Sequence, residues 1–280
     1  KKHNIPCIAT MHSQFKKDIM RFTKSELASD KLLKEIIKVF NSCDECFAVN
    51  KEVARIFYED YHCKRYPLVM NNATNMKRLD DFKKASKYIN KKHNIKSNEK
   101  VFLFVGRLNL LKNILFIVDS LAALKEKRPK LKFKMLFVGS GQDEDKLVKR
   151  INKMKLEKDI ILCGKIMDRT ELAYYYARAD LFLFPSTYDA SSIVQIEAAS
   201  QETPTIFLKN TATASTVIDN VNGYISENST GAFSDKIIDA IEDKKSYEKI
   251  CKNAYIDLYK TWDETIDKVY DAYIDLINNK

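Results

Sequence analysis

Val101-Phe102-Leu103-Phe104-Val105-Gly106-Arg107 is the stretch on which the fold turns: an unbroken apolar run, then a glycine and a cation. An apolar run that does not alternate belongs to a strand buried on both faces, as in the middle of a parallel sheet. Runs of the same kind, apolar but for Lys134 and Thr205, recur at Phe133–Val138, Ile160–Cys163, Leu181–Phe184 and Thr205–Leu208. Between them, apolar residues three and four apart mark helices: Leu115, Val118, Leu121, Ala122 and Leu124 in one stretch, Leu147, Ile151 and Met154 in another. Such strand–helix alternation builds βαβ units with right-handed crossovers. Residues 98–260 therefore predict an α/β, doubly wound, Rossmann-like domain with a parallel sheet.

Upstream the same theme is thinner. Ile5–Thr10, Cys46–Val49 and Leu68–Met70 read as strands, and residues 24–40 and 51–58 as helices. Residues 1–75 thus predict a second Rossmann-like domain, with few strands for a self-sufficient parallel sheet. A polar, lysine-rich stretch from Asn71 to Lys100 predicts a linker region over 76–97 with one helix inside it, at 80–90. Ile266, Val269, Tyr270, Tyr273 and Leu276 give 261–280 the pattern of an amphipathic terminal helix, expected to pack back toward the first domain. The chain opens on Lys1-Lys2-His3 without an initiator Met, and the front domain reads as incomplete.

Composition bounds the function classes. The 280 residues are 45% hydrophobic and 31% charged, as in a globular protein. No apolar run is long enough for a transmembrane helix, and none follows the first lysines as a signal peptide would require. The net charge of +10 suits an anionic partner: nucleic acid, a phospholipid surface or a phosphorylated ligand. Lys and Arg are dispersed rather than clustered with aromatics, which argues against a nucleic-acid-binding module. The six cysteines sit largely in apolar surroundings, as buried free thiols do, and a reducing, cytoplasmic compartment fits. Cys43 and Cys46 have the spacing of a metal pair, but no matching second pair follows, so no metal site is expected.

In an open parallel sheet, ligands bind beyond the carboxyl ends of the strands. Beyond Val105 come Gly106, Arg107 and, five residues on, Lys112, at the mouth of a helix expected to begin near Asn113. Two cations and a helix amino end can clamp a diphosphate; on spacing alone they equally read as solvated surface cations. Beyond Val138, Gly139-Ser140-Gly141 allows either close backbone approach to a ligand or a tight turn. Beyond Phe184, Asp189 falls in a loop, Ser191 or Ser192 can cap a helix, and that helix carries Glu197 among apolar neighbours. The two carboxylates suit the hydroxyls of a ribose or hexose; a pair of solvated acids remains the plain alternative.

Taken in order, these segments resemble family-4 glycosyltransferases of the GT-B fold. The resemblance runs through Thr10-Met11-His12, Val69–Thr74, Gly106-Arg107 with Lys112, Val138–Gly141, Cys163-Gly164-Lys165, Ala179–Ser186, an acid-x7-Glu segment from Asp189 to Glu197, Thr203–Ile206, Asn222-Gly223-Tyr224 and Trp262. It implies two Rossmann-like domains, here with the front one N-terminally incomplete. It implies transfer of a hexose from a nucleotide sugar, UDP-linked for preference, to a saccharide or lipid-linked acceptor. Configuration would be retained and no bound metal or other cofactor needed, in polysaccharide biosynthesis. The protein would be cytoplasmic, with peripheral association at the anionic inner face of a membrane. By the same resemblance Gly106, Arg107 and Lys112 hold the donor diphosphate, with Gly139 in the adjoining turn, and Lys165 and Ile166 lie against the base. Glu197 bonds the ribose, Asp189 the donor sugar, and backbone N–H groups of Ser191, Ser192 and Ile193 approach sugar and phosphate. His12 meets the sugar from the opposing domain.

The sequence departs from the family pattern in places. Asp189 replaces a Glu, Ala190 and Ser192 replace glycines, and Gln201-Glu202 stands where a Gly precedes Thr-Pro. Nothing matches the family's opening strands or its Gly-rich acceptor loop. A nicotinamide-dependent oxidoreductase would need the dinucleotide fingerprint, which is missing. A non-catalytic sugar-nucleotide-binding fragment is the alternative that the short front domain keeps open.

Overall fold

The computed structural model describes residues 5–278. Residues 1–4 and 279–280, the outer ends of the expected first domain and terminal helix, lie outside the described residues. The chain opens with β1 (Ile8–Met11), α1 (Phe15–Thr23), α2 (Glu26–Ser42), β2 (Glu45–Ala48), α3 (Lys51–Arg55), β3 (Leu68–Val69) and α4 (Phe82–Lys92). It continues with β4 (Lys100–Val105), α5 (Ile114–Lys127), β5 (Phe133–Val138), α6 (Glu144–Lys153), β6 (Ile160–Gly164), α7 (Arg169–Arg178), β7 (Leu181–Leu183) and α8 (Ile193–Ser200). It closes with β8 (Thr205–Leu208), β9 (Tyr224–Ser226), α9 (Thr230–Glu242), α10 (Lys244–Asn253) and α11 (Trp262–Asn278). Among the described residues no helix is long and apolar enough to cross a membrane. Two compact units result. The first holds the chain up to Thr74, Tyr188–Ser192 and the chain from Lys260; the second holds Asn75–Thr187 and Ile193–Tyr259.

The first unit is built on a parallel three-stranded sheet in the order β1-β2-β3, with Ala9 opposite Cys46 and Phe47 opposite Leu68. Phe15, Phe40 and Phe57 pack with ring centroids 5.7 Å apart, and Tyr273 of α11 sets its ring 6.5 Å from that of Phe47. The helix expected over 24–40 is found as α2, and α1, which was not expected, ends just ahead of it to form a hairpin. No Gly or Pro marks the break. Lys24 takes the left-handed conformation (φ 52°), and the Ser25 hydroxyl accepts from the Ala28 N–H to cap α2.

The second unit carries a parallel six-stranded sheet in the order β6-β5-β4-β7-β8-β9. The order reverses between β4 and β7, because the chain runs outward from β4 through β5 to β6 and then returns to β4's other side. Phe104 stacks on Phe184 (6.1 Å) and Phe184 on Phe182 (5.7 Å), and these rings are fully or almost fully buried. Residues 76–97, expected as a linker, fold with this unit: α4 buries Ala85 and Ile89 and packs on α7. Tyr88 meets Tyr174 edge-on at 5.5 Å, and Arg178 Nε donates to Asn90 Oδ1 at 2.6 Å. Lysines on the outer face of α4 give the stretch its linker-like composition.

Candidate functional site

The crevice of a doubly wound sheet opens where the strand order reverses. In the second unit that point lies between β4 and β7. β4 ends at Val105, and Gly106 and Arg107 follow at once. Arg107 is exposed. A short 3-10 turn, Leu110–Lys112, then leads into α5, whose expected start at Asn113 is one residue early. Asn113 is left-handed (φ 57°) and does not cap α5; its side-chain amide donates to the Pro185 carbonyl at 2.9 Å. Lys112 is half-buried, with Nζ 5.5 Å from the centroid of Phe184. Ser186 Oγ donates to the Leu111 carbonyl at 3.4 Å. The loop after β4 and the segment after β7 are thus tied together at the switch point.

The loops after β4, β5 and β6 are laced by backbone. Gly106 N–H donates to Val138, Leu108 N–H to Ser140, and Gly139 N–H to Gly164, at 2.8–3.0 Å. A Cβ on Gly139 would lie 2.0 Å from the Gly106 carbonyl oxygen, and one on Gly141 2.2 Å from that of Leu108. The two glycines are therefore required by close approach of protein backbone to protein backbone. Asp143 accepts from the Leu110 N–H at 3.0 Å and from Lys146 at 2.7 Å. Those bonds, Lys146 first, hold its carboxyl below the usual carboxylate range. Lys165 is exposed and Ile166 half-buried in the loop between β6 and α7. Asp168 fixes the far end of that loop by accepting from the N–H groups of Thr170 and Glu171.

Glu197 stands on α8, whose first residue is Ile193, and is 4% exposed. Both its oxygens are engaged: Arg169 Nη2 donates to Oε1 at 2.6 Å and the Tyr176 hydroxyl to Oε2 at 2.9 Å. Burial and the facing carboxylate push the Tyr176 phenol well above its ordinary value, so it remains a donor. Sequence reasoning found Glu197 by its apolar flanks but missed Arg169 and Tyr176, which lie on α7 and carry no local signal.

His12, Asp189, Ser191 and Ser192 belong to the first unit. His12 follows β1 directly and is exposed. The loop of Asp189 is gripped by three side-chain amides that sequence reading also missed. Gln14 Nε2 donates to the carbonyls of Tyr188 (3.3 Å) and Asp189 (3.1 Å), Asn50 Nδ2 to that of Ala190 (2.7 Å), and Asn72 Nδ2 to Ser191 Oγ (3.0 Å). Each amide sits just beyond the carboxyl end of one strand of the sheet. Asp189 is half-buried, and Ser192 is buried immediately ahead of α8.

The cysteines are free thiols. Burial pushes Cys46 and Cys163 up to about 12 and Cys63 and Cys251 up to about 11. Among the described residues no cluster of three or more His, Cys, Asp or Glu could hold a metal.

Solved structures share this architecture. Anabaena HepE in complex with UDP superposes with a TM-score of 0.82 at 18% identity, over 96% of this chain and 72% of that one. Sucrose-phosphate synthase from Thermosynechococcus elongatus gives 0.78 at 20%, over 98% and 68%. In sequence, the chain is 24% identical over 205 residues to the alpha-monoglucosyldiacylglycerol synthase of Streptococcus pneumoniae, covering 72% of this chain and 46% of that protein. It is 26% identical over 190 residues to the UDP-Gal:alpha-D-GlcNAc-diphosphoundecaprenol alpha-1,3-galactosyltransferase of Escherichia coli, covering 66% and 48%. The chain thus spans about half the length of these two relatives. Residues 64–257, which include the switch-point crevice and every loop around it, match the family described as Glycosyl transferases group 1, and the chain belongs to that family.

Proposed function

We propose that the chain binds a nucleoside-diphosphate sugar, UDP-linked for preference, and transfers its hexose to a saccharide or lipid-linked acceptor with retention of configuration, as family-4 enzymes do. The observation that carries the reading is the placement of Arg107 and Lys112 at the reversal between β4 and β7, with the buried Glu197 on the helix that follows β7. Arg107, Lys112 and the amino end of α5 would neutralise the charge that builds on a departing diphosphate. Glu197 would accept from the ribose hydroxyls, and the Lys165–Ile166 backbone would lie along the base. Asp189 and His12 would address the donor sugar. The E. coli relative's UDP-Gal donor and undecaprenol-linked acceptor, and the pneumococcal relative's glycolipid product, support a UDP-linked donor and a lipid-linked acceptor. Peripheral association with an anionic membrane belongs to the same proposal and rests on the chain's net charge of +10.

Titration calorimetry with UDP and GDP tests the reading. Arg107→Ala and Lys112→Ala should each weaken binding by roughly 1.5–3 kcal/mol, the value of a charge-assisted contact. Unaltered affinity in both variants would overturn it.

A further inference from the structure

Cys7 and Cys43 bring their sulfurs to 3.7 Å although they are 36 positions apart in the chain. Cys7 lies just ahead of β1, and Cys43 lies between α2 and β2. Strand pairing puts them together: Ile8 stands opposite Glu45, so the segments entering the two strands run side by side. Backbone bonds fix this end of the sheet. The Cys7 N–H donates to Asp44 Oδ2 at 2.8 Å, and the Asp44 N–H donates to the Cys7 carbonyl at 2.7 Å. The Cys43 N–H donates to the Phe40 carbonyl at 3.0 Å, and Arg65 Nη1 donates to the Cys43 carbonyl at 3.3 Å. A disulfide holds its sulfurs about 2.05 Å apart. Side-chain rotation can close the remaining gap while the backbone stays where these bonds hold it.

The two thiols differ in access. Cys7 is exposed and Cys43 buried. An oxidant in solution therefore meets Cys7, with Cys43 standing behind it. Two further thiols, Cys46 and Cys63, line a small cavity together with Cys43. They are poor competitors for Cys7. Burial pushes them up to about 12 and about 11, so little of either is thiolate. Cys46 Sγ is also turned onto the Phe40 carbonyl, at 3.5 Å.

We infer that Cys7 and Cys43 form a peroxide-oxidisable dithiol, in which Cys7 is attacked first and Cys43 resolves it. The Cys7 thiolate attacks one oxygen of hydrogen peroxide. The O–O bond breaks, Cys7 becomes a sulfenic acid, and the other oxygen takes up a proton and leaves as water. Cys43 then gives up its proton and attacks the Cys7 sulfur. The S–O bond breaks, the S–S bond forms, and the hydroxyl leaves with that proton as a second water. Two thiols are oxidised to one disulfide, and one peroxide is reduced to two waters. The bond ties the entry of β1 to the end of α2 and encloses the α1–α2 hairpin in a covalent loop. Capture by Cys43 also spares Cys7 the irreversible step to sulfinic acid. In a reducing medium the pair returns to thiols. The inference is independent of the nucleotide reading.

Peptide mapping of the full chain tests it. The reduced protein, freed of reductant, is treated with a small excess of hydrogen peroxide, and the remaining thiols are blocked with iodoacetamide. A peptide pair linked through Cys7 and Cys43 should appear, and dithiothreitol should release it. In Cys43→Ala, dimedone should trap Cys7 as sulfenic acid at least about fivefold more than in the intact chain, because nothing resolves it. In Cys7→Ser, a change at an exposed position, Cys43 should stay a thiol through the same treatment. Circular dichroism checks that both variants are folded. No linked peptide, a link from Cys7 to Cys46 or Cys63, or a disulfide formed only between two chains would each overturn the inference. So would sulfinic acid at Cys7 forming as readily in the intact chain as in Cys43→Ala.

Discussion

Arg169 Nη2 donates to Glu197 Oε1 at 2.6 Å, and the Tyr176 hydroxyl takes the other oxygen at 2.9 Å. A carboxylate at this depth needs such partners, because an unpaired buried charge is strongly unfavourable. The Arg169 side chain is 56% exposed, so solvent screens its half of the interaction. Arg169→Ala should therefore destabilise the fold by only about 1–2 kcal/mol. Tyr176→Phe, which strips a donor from the buried side, should cost about 1–3 kcal/mol. Urea denaturation measures both, and two unchanged midpoints would show that the carboxylate does not depend on these partners.

The two acids should separate by ligand. Glu197→Gln should weaken UDP and UDP-glucose alike, because ribose is common to both. Asp189→Asn should weaken the sugar nucleotide and spare free UDP. Calorimetry with the two ligands on each variant decides this, and identical behaviour of the variants would dissolve the assignment of separate roles.

The glycines after β5 should tolerate no side chain. Gly139 has φ 134°, and a Cβ there would meet the Gly106 carbonyl at 2.0 Å; at Gly141 it would meet that of Leu108 at 2.2 Å. The obstacles are backbone, so neither can rotate away. Gly139→Ala and Gly141→Ala should each lose about 2–4 kcal/mol of stability or fail to fold, whereas Gly231→Ala, whose nearest contact is at 3.9 Å, should be close to neutral. Thermal unfolding of the three variants compares them directly.

Thiol reactivity should follow burial. At pH 8 a thiol at about 12 is ionised to only about one part in ten thousand. Cys46 and Cys163 should thus resist iodoacetamide while the exposed Cys7 is alkylated, with Cys63 and Cys251 also slow. The sign is fixed by the raised values: alkylation of the buried thiols should accelerate as pH rises toward 11–12 for as long as the fold survives. Peptide mapping of alkylated sites reads the order.

The second sheet was legible because its strands are buried on both faces, and burial writes itself as unbroken apolar runs such as Leu181–Phe184. β9, Tyr224-Ile225-Ser226, escaped because it is short and ends on a polar residue, whereas the equally short β7 lies in the apolar run Leu181–Phe184. α2 was legible over 24–40, whereas α1 was not, because it has only nine residues and buries Ile19 alone. Glu197 was visible because an acid among apolar neighbours is anomalous. Its partners were not, since Arg169 is 28 residues away in the chain. The same holds for Gln14, Asn50 and Asn72, whose amides reach residues 119–175 positions distant. Nothing local distinguishes such an Asn from one in a surface turn.

The membership of Tyr188–Ser192 in the first unit has a practical consequence. A stretch of five residues, joined to the second unit at both ends, completes the hydrogen bonding of the first. No single cut frees either unit intact. A fragment ending at Thr74 would leave the amides of Gln14, Asn50 and Asn72 without the loop they hold and would also lose α11. A fragment covering 75–259 would carry that loop with nothing to grip it. The units are thus interleaved along the chain, and a protease nick between Thr187 and Ile193 should register in both.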